Sequence, residues 1–189
     1  MKNQLARILG VALLLWSAAI SAESSYSDTV TLFENAGESA RYFQNCYGYA
    51  VFPTIGKAGL GIGGAHGSGH VYEHGRYVGD ASMNQLSAGF QAGAQAYSQI
   101  IFFEDRRAFD EFTKGNFEFG ADVNAVAITA AAGGSVGTTG VSAEASGGMK
   151  DATTAGKYYK GVAVFTIVKG GAMYQAAVAG QKFSYSPKA

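Results

Sequence analysis

The stretch Gly48-Tyr-Ala-Val-Phe-Pro-Thr-Ile-Gly-Lys-Ala-Gly-Leu-Gly-Ile-Gly-Gly64 threads single glycines through short apolar runs. The pattern continues downstream, and 25 of the 27 glycines in the chain fall between Gly48 and Gly180. Glycine weakens a strand, because it loses more backbone entropy on folding and brings no side chain to pack. A chain that accepts this repeatedly needs close backbone approach, bulges or sharply coiled strands.

Strand signals surround this stretch. Ser98-Gln-Ile-Ile-Phe-Phe103 and Gly161-Val-Ala-Val-Phe-Thr-Ile-Val168 are apolar runs of strand length, and Phe117 to Val126 alternates at period two. Tyr72-Glu-His-Gly-Arg-Tyr77 and Ala132-Gly-Gly-Ser-Val136 supply turn chemistry. Counting such runs predicts about eight to ten strands. Gly48-Tyr-Ala-Val-Phe52 is echoed by Gly161-Val-Ala-Val-Phe165, which points to two equivalent strands in one sheet.

Two helices are predicted. Phe33, Ala36, Ala40, Phe43 and Tyr47 form an apolar stripe at helical spacing, giving one amphipathic helix over about residues 28 to 45. Glu104 to Lys114 begins with acidic residues, sets Phe109 and Phe112 three apart, and stops at Gly115. The fold class is α+β: a mostly antiparallel, strongly coiled sheet, closed as a barrel or stacked as a sandwich, with two packed helices.

Lys2 and Arg7 precede a 13-residue apolar run from Ile8 to Ile20, and Ser17 to Ala22 supplies small residues. This is the pattern of a cleavable signal peptide over residues 1–22. The run is shorter than the roughly 20 residues a membrane-spanning helix needs. No Cys stands at the cleavage site, so a lipid anchor there is not expected, and the destination read from the sequence is the periplasm. Residues 23–47 then hold the amphipathic helix and 48–185 the glycine-rich β region, as one domain. From Glu23 onward 12 basic and 14 acidic residues remain, a formal charge of −2. A nucleic-acid binder would be basic, so that class of partner is excluded.

Motifs for chemistry are few. Gly59-Leu-Gly-Ile-Gly-Gly64 satisfies G-x-G-x-x-G, but a dinucleotide site needs a helix to open there. Ala65-His-Gly-Ser-Gly-His70 follows instead, and a helix loses about 1 kcal/mol per glycine. His66, His70 and His74 are evenly spaced and are the weak metal candidates; solvated histidines around turns are the competing reading, and no metal is assigned. No Gly-x-Ser-x-Gly elbow has its strand–turn–helix setting, so no catalytic residue, enzyme activity or cofactor is expected. Cys46, the single cysteine outside any internal disulfide, reads as a small buried hydrophobe, with a redox or intermolecular thiol as the alternative.

An ordered series of matches resembles a SYLF domain. Tyr49-Ala-Val-Phe-Pro53, Lys57-Ala-Gly-Leu-Gly-Ile-Gly-Gly64 and Gly67-Ser-Gly69 look like its opening. Ser87-Ala-Gly-Phe-Gln-Ala-Gly-Ala-Gln95, the following Ile100-Ile-Phe-Phe103 and Phe117-Glu-Phe-Gly-Ala-Asp122 continue it, and the match ends near Gly180. The region from Ala143 to Tyr159 departs from the pattern. The resemblance implies a non-enzymatic, lipid-associated domain: eukaryotic members are linked to phosphoinositides and actin, bacterial members to phospholipid. It also implies a membrane-inserting N-terminal helix, although here Asp28, Glu34 and Glu38 outnumber Arg41, against insertion into an anionic surface.

The expected function is periplasmic phospholipid or membrane-surface binding with a role in envelope maintenance, Lys57 or Arg76 meeting a phosphate head group beside the glycine strands. The alternative is a structural or protein-interaction module that forms a homo-oligomer through exposed sheet edges.

Overall fold

The computed structural model describes residues 25–120, 123, 125–130, 136–137, 158–171 and 178–189. The signal peptide read over 1–22, the turn at 132–135 and most of the divergent 143–159 region lie outside the described residues.

Two strands dominate. β1 runs without interruption over Gly48–Glu73 and β2 over Arg76–Phe103, paired antiparallel from Gly48↔Phe103 to Glu73↔Arg76. They are joined at His74 (φ 47°) and Gly75 (φ 76°). Positive φ at both central residues makes the tight two-residue turn whose twist matches a hairpin. Further strands are β3 (Phe117–Glu118), β4 (Ala125–Ala130), β5 (Val136–Gly137), β6 (Val162–Gly171) and β7 (Gln181–Pro187). The sheet order is β3-β7-β2-β6-β4-β5, with β1 paired to β2, and it curls into a half-barrel. All pairs are antiparallel except β4–β6. The mostly antiparallel, strongly coiled sheet with packed helices is therefore what the chain forms. Among the described residues there are seven strands, and several of the runs counted separately are parts of the two very long ones.

The long hairpin folds back on itself. Its register breaks between Leu60↔Ala92 and Ile62↔Ala88, so three residues of β2 bulge opposite one of β1. Bulges bend a strand and increase its twist, and here they set the two halves of β1 face to face. A Cβ on Gly67 would lie 2.6 Å from the Ile55 side chain, and one on Gly69 2.6 Å from the Phe52 ring and 2.8 Å from the Val51 carbonyl. A Cβ on Gly59 would lie 2.5 Å from the Gly63 Cα. The glycines are the places where one layer presses on the other.

A second break, between Phe52 and Ile55, inverts which residues face inward. Tyr49 and Val51 face one core; Ala50, Phe52 and Ile55 face the other. The inner core fills the folded hairpin and takes Tyr97, Ile101, Phe103 and Phe183 together with Phe109 and Phe112 of α4 (Arg106–Thr113). Asp105 caps α4 by accepting from the Ala108 amide at 2.8 Å, and Gly115 (φ 84°) ends it.

The outer core packs the N-terminal helical region on Tyr49, Val51, Ile100, Phe102 and Phe165. The single helix predicted over 28 to 45 is divided into α1 (described from residue 25 to 34), α2 (Gly37–Ala40) and α3 (Tyr42–Asn45). Ala36 is extended (φ −87°, ψ 105°), and the Ser39 hydroxyl donates to the carbonyls of Phe33 (2.6 Å) and Ala36 (3.1 Å). A serine side chain that satisfies local carbonyls competes with the helical ladder, and Gly37 beside it lowers helix propensity. Phe33, Ala36 and Tyr42 still reach one core despite the breaks.

The two echoing segments both flank β2 from opposite sides: Ile101 pairs with Ala50 in β1 and with Val164 in β6. They are equivalent neighbours of a shared strand, one residue out of step with the echo.

Glycine spacing predicts a sharp contrast in stability. Gly69→Ala forces a methyl against Phe52 and Val51 and is expected to cost about 1–3 kcal/mol in urea unfolding, as overpacking does. Gly56→Ala, with nothing within 4 Å, is expected to be neutral or slightly stabilising. Equal effects at the two positions would contradict the face-to-face arrangement.

Candidate functional site

Where the hairpin bends, its two layers part into a cleft of about 740 Å³. Both strands contribute on both sides of the bend, β7 adds Lys182, and β3 adds Glu118. Lys57 and Gln95 are cross-strand partners in register, and both are buried, at 3% and 4% exposure. Gln85, from the first half of β2, is buried at the same cleft and donates to the Ala179 carbonyl at 2.7 Å. Ala58, Ala65, Ala94 and Leu86 supply the apolar lining.

Lys57 reaches this position because of the break after Phe52. Ile55 and Lys57 share the inward parity of the strand, so the chain places a lysine where the preceding inward residue is a core isoleucine. No ion pair or hydrogen bond to Lys57 is formed among the described residues. Burial pushes its ammonium below the ordinary lysine pKa of 10.5. The carboxylate of Glu118 in the same cleft is held by Lys182 at 3.6 Å. Gln95 presents a buried side-chain oxygen with no hydrogen-bond partner among the described residues. An unpaired cation and an unsatisfied amide, side by side in a cleft, are each unfavourable without a ligand.

Behind them the interior continues polar. Gln99 and Gln181, both fully buried, exchange two side-chain hydrogen bonds at 2.9 and 3.1 Å, and Gln181 also donates to the Tyr97 hydroxyl at 3.1 Å. Burial pushes the Tyr97 phenol up to about 12, so it stays protonated. This satisfied network holds the inward residues of β2 beside Gln95 in fixed positions. Beside the Lys182–Glu118 pair the cleft thus offers Lys57, amide groups and an apolar lining, a combination suited to an anionic group carried on an apolar body.

The other sequence candidates are dispersed. Arg76 is exposed beside the hairpin turn, paired in register with Glu73, and does not line the cleft. His66 lines the cleft with its Nδ1 2.9 Å from Asn84 Oδ1. His70 stacks on Tyr26 of α1 at 3.5 Å between ring centres and lies 3.4 Å from Asp80. His74 occupies the turn against Tyr47. Four residues along a strand span about 13 Å, too far for one ion. No group of three His, Cys, Asp or Glu that could hold a metal occurs among the described residues. Gly59 to Gly64 lies inside β1, where no helix end meets a phosphate. Cys46 is half-buried against the outer core, and burial pushes its thiol up to about 11, which suppresses thiolate chemistry.

Gln85 and Gln95 are site residues that the motif search passes over. The signal was available: Gln95, Tyr97 and Gln99 place polar groups at consecutive inward positions of an otherwise apolar strand.

Residues 84–187 match the Ysc84 family, described as Las17-binding protein actin regulator. Over 157 residues the chain is 28% identical to Beta cell expansion factor A of Aeromonas veronii, a stretch that covers 82% of this chain and 51% of that protein. The chain therefore spans about half the length of that relative.

The buried ammonium sets a direction for stability. With the folded pKa below the unfolded one, the unfolded chain holds the proton more strongly. The penalty is complete below the folded pKa and is relieved as pH rises through it toward 10.5. Lys57→Met should therefore raise Tm at pH 7, on the order of 2–4 °C for each kcal/mol relieved, with the gain shrinking toward pH 10. A lower Tm at pH 7 would show that Lys57 is stabilised by a partner.

Proposed function

The chain belongs to the Ysc84 family of SYLF domains, and from that premise we propose that it is a periplasmic phospholipid-binding protein that works in envelope maintenance. Membership supports a non-catalytic binding domain of the lipid- or actin-associated type. Actin has no place in a periplasm, so the lipid side of the family is the part that applies under this reading.

The observation that carries the proposal is Lys57, a lysine only 3% exposed on the wall of an open cleft, with no counter-ion among the described residues. A buried unpaired charge lowers stability. Residues that break a local rule of folding in this way are concentrated at functional sites. A phosphate diester supplies the missing counter-charge, the Gln95 oxygen accepts from a head-group hydroxyl or ammonium, and the alanine-lined walls cover the first carbons of the acyl chains. Arg76, at the other end of the hairpin, has no part in this geometry.

One further observation favours a second reading. Among the described residues β1 pairs with β2 alone, which leaves the other edge of a 26-residue strand without a partner strand. Such an edge invites pairing between chains, and a module that oligomerises through it would remain in the supernatant beside vesicles and sediment as an oligomer.

Titration with dihexanoyl phosphatidylglycerol, kept below its micelle concentration and followed by amide chemical shifts, tests the cleft. Lys57→Ala should weaken binding about tenfold or more, the scale of a charge-assisted hydrogen bond. Arg106→Ala, which removes a positive charge from the exposed face of α4, should change it less than twofold. Equal losses would indicate bulk electrostatics, and no loss in either would remove Lys57 from the site.

A further inference from the structure

The bend of the long hairpin is a projecting ribbon. β2 pairs with β7 over Gly79–Gln85 and with β6 over Gln95–Phe103. Between them, residues 86–94 pair with β1 alone among the described residues. The bend therefore extends as two strands beyond the rest of the sheet. It carries Leu60, Ile62 and Leu86 at 83%, 76% and 87% exposure, the large hydrophobic side chains most open to solvent among the described residues. A soluble protein leaves single apolar side chains exposed without consequence, but a cluster at one tip marks an interaction surface.

Charge and shape select the partner. No Asp or Glu occurs in residues 49–72 or 81–103, so both arms of the ribbon lack acidic groups; Glu73 and Asp80 lie at the opposite, turn end. At the base of the ribbon stand Lys57 and Lys169, whose Nζ lies 3.1 Å from Thr54 Oγ1, while Lys182 and Glu118 pair there and cancel in charge, so the base carries an excess of positive charge. Aliphatic tips above a basic collar complement acyl chains below a layer of anionic head groups. A protein partner fits less well. A stable interface covers about 800 Å² per partner. Three aliphatic side chains, each smaller than the roughly 150–250 Å² of an aromatic one, fall short of that. A fluid bilayer needs no complementary shape.

We propose that the β1–β2 bend is the element by which the protein enters a phospholipid surface, with Leu60, Ile62 and Leu86 in the acyl region and the mouth of the cleft at head-group depth. Leu86 both lines the cleft and is exposed at the tip, so the two features share one end of the molecule. Insertion thereby presents a head group directly to Lys57. This inference rests on the lipid reading above but concerns a different element, and it replaces the N-terminal helix as the inserting segment. α1 to α3 instead spend Phe33, Ala36 and Tyr42 on the outer core, leaving no equivalent apolar face free among those residues.

Two measurements on vesicles of mixed phosphatidylethanolamine and phosphatidylglycerol test it. Leu60→Ser/Ile62→Ser should lower vesicle affinity at least tenfold in flotation, with an unchanged melting temperature. Ile62→Trp, read against the parent chain whose one tryptophan is Trp16, should shift its emission to the blue and be quenched by brominated acyl chains. Arg106→Trp on α4 should do neither. Vesicle binding that survives the double serine change, or an unquenched Ile62→Trp on bound protein, overturns the inference. So does a double variant that turns a dimer into a monomer while binding vesicles as before, since the patch would then cover a second copy. If the parent binds dissolved dihexanoyl phosphatidylglycerol but not vesicles, the inference fails and the lipid reading stands. If it binds neither, both fail.

Discussion

The face-to-face contact between the two halves of β1 is the constraint on which the rest of the molecule depends. Sheets pack with their faces about 10 Å apart when ordinary side chains fill the gap. Gly67 over Ile55 and Gly69 over Phe52 bring one half of the strand closer than any side chain would permit. That approach is possible only because the register shifts at Leu60/Ile62 and bends both strands together. The inner core, the position of α4 against Phe103, and the cleft at the bend all follow from a hairpin folded in this way.

The same folding explains why the site is polar inside. At the bend the layers part, and inward positions that would otherwise be filled by isoleucine or phenylalanine hold Lys57, Gln85 and Gln95. Deeper, Gln99, Gln181 and Tyr97 satisfy one another and keep β2 rigid. The gradient runs from a satisfied network to the Gln95 oxygen and Lys57 at the cleft, for which the described residues supply no hydrogen-bond partner. Buried polar groups are costly where they lack a partner and rigidify the interior where they satisfy one another.

Much of the architecture is legible in the chain because it rests on local chemistry. His74-Gly75 makes the tight turn with positive φ at both residues, and Asp105 with Gly115 delimits α4 through caps that need no distant partner. The Tyr49 to Phe52 and Ile100 to Phe103 runs declare strands by composition. The N-terminal helix is less legible, since its apolar stripe is continuous while Ser39 and Gly37 break the backbone beneath it. Strand number is obscured because glycines that look like boundaries lie inside β1. Lys57 stands out from the sequence as a lone charge among glycines, yet its burial depends on the parity change after Phe52. Arg76 looks equivalent in the sequence, and the folded hairpin carries it to the other end.

The sequence by itself determined the sheet-rich class, the turn, the α4 boundaries and the family, because these depend on residue type, short-range spacing and an ordered series of motifs. The tertiary structure decided which glycines touch which side chains, which lysine is buried, and that Leu60, Ile62 and Leu86 converge on one exposed tip. Those outcomes arise from contacts between residues far apart in the chain. A shift of one residue in strand register turns every following side chain to the other face, and no local pattern records that the break after Phe52 will turn Lys57 inward.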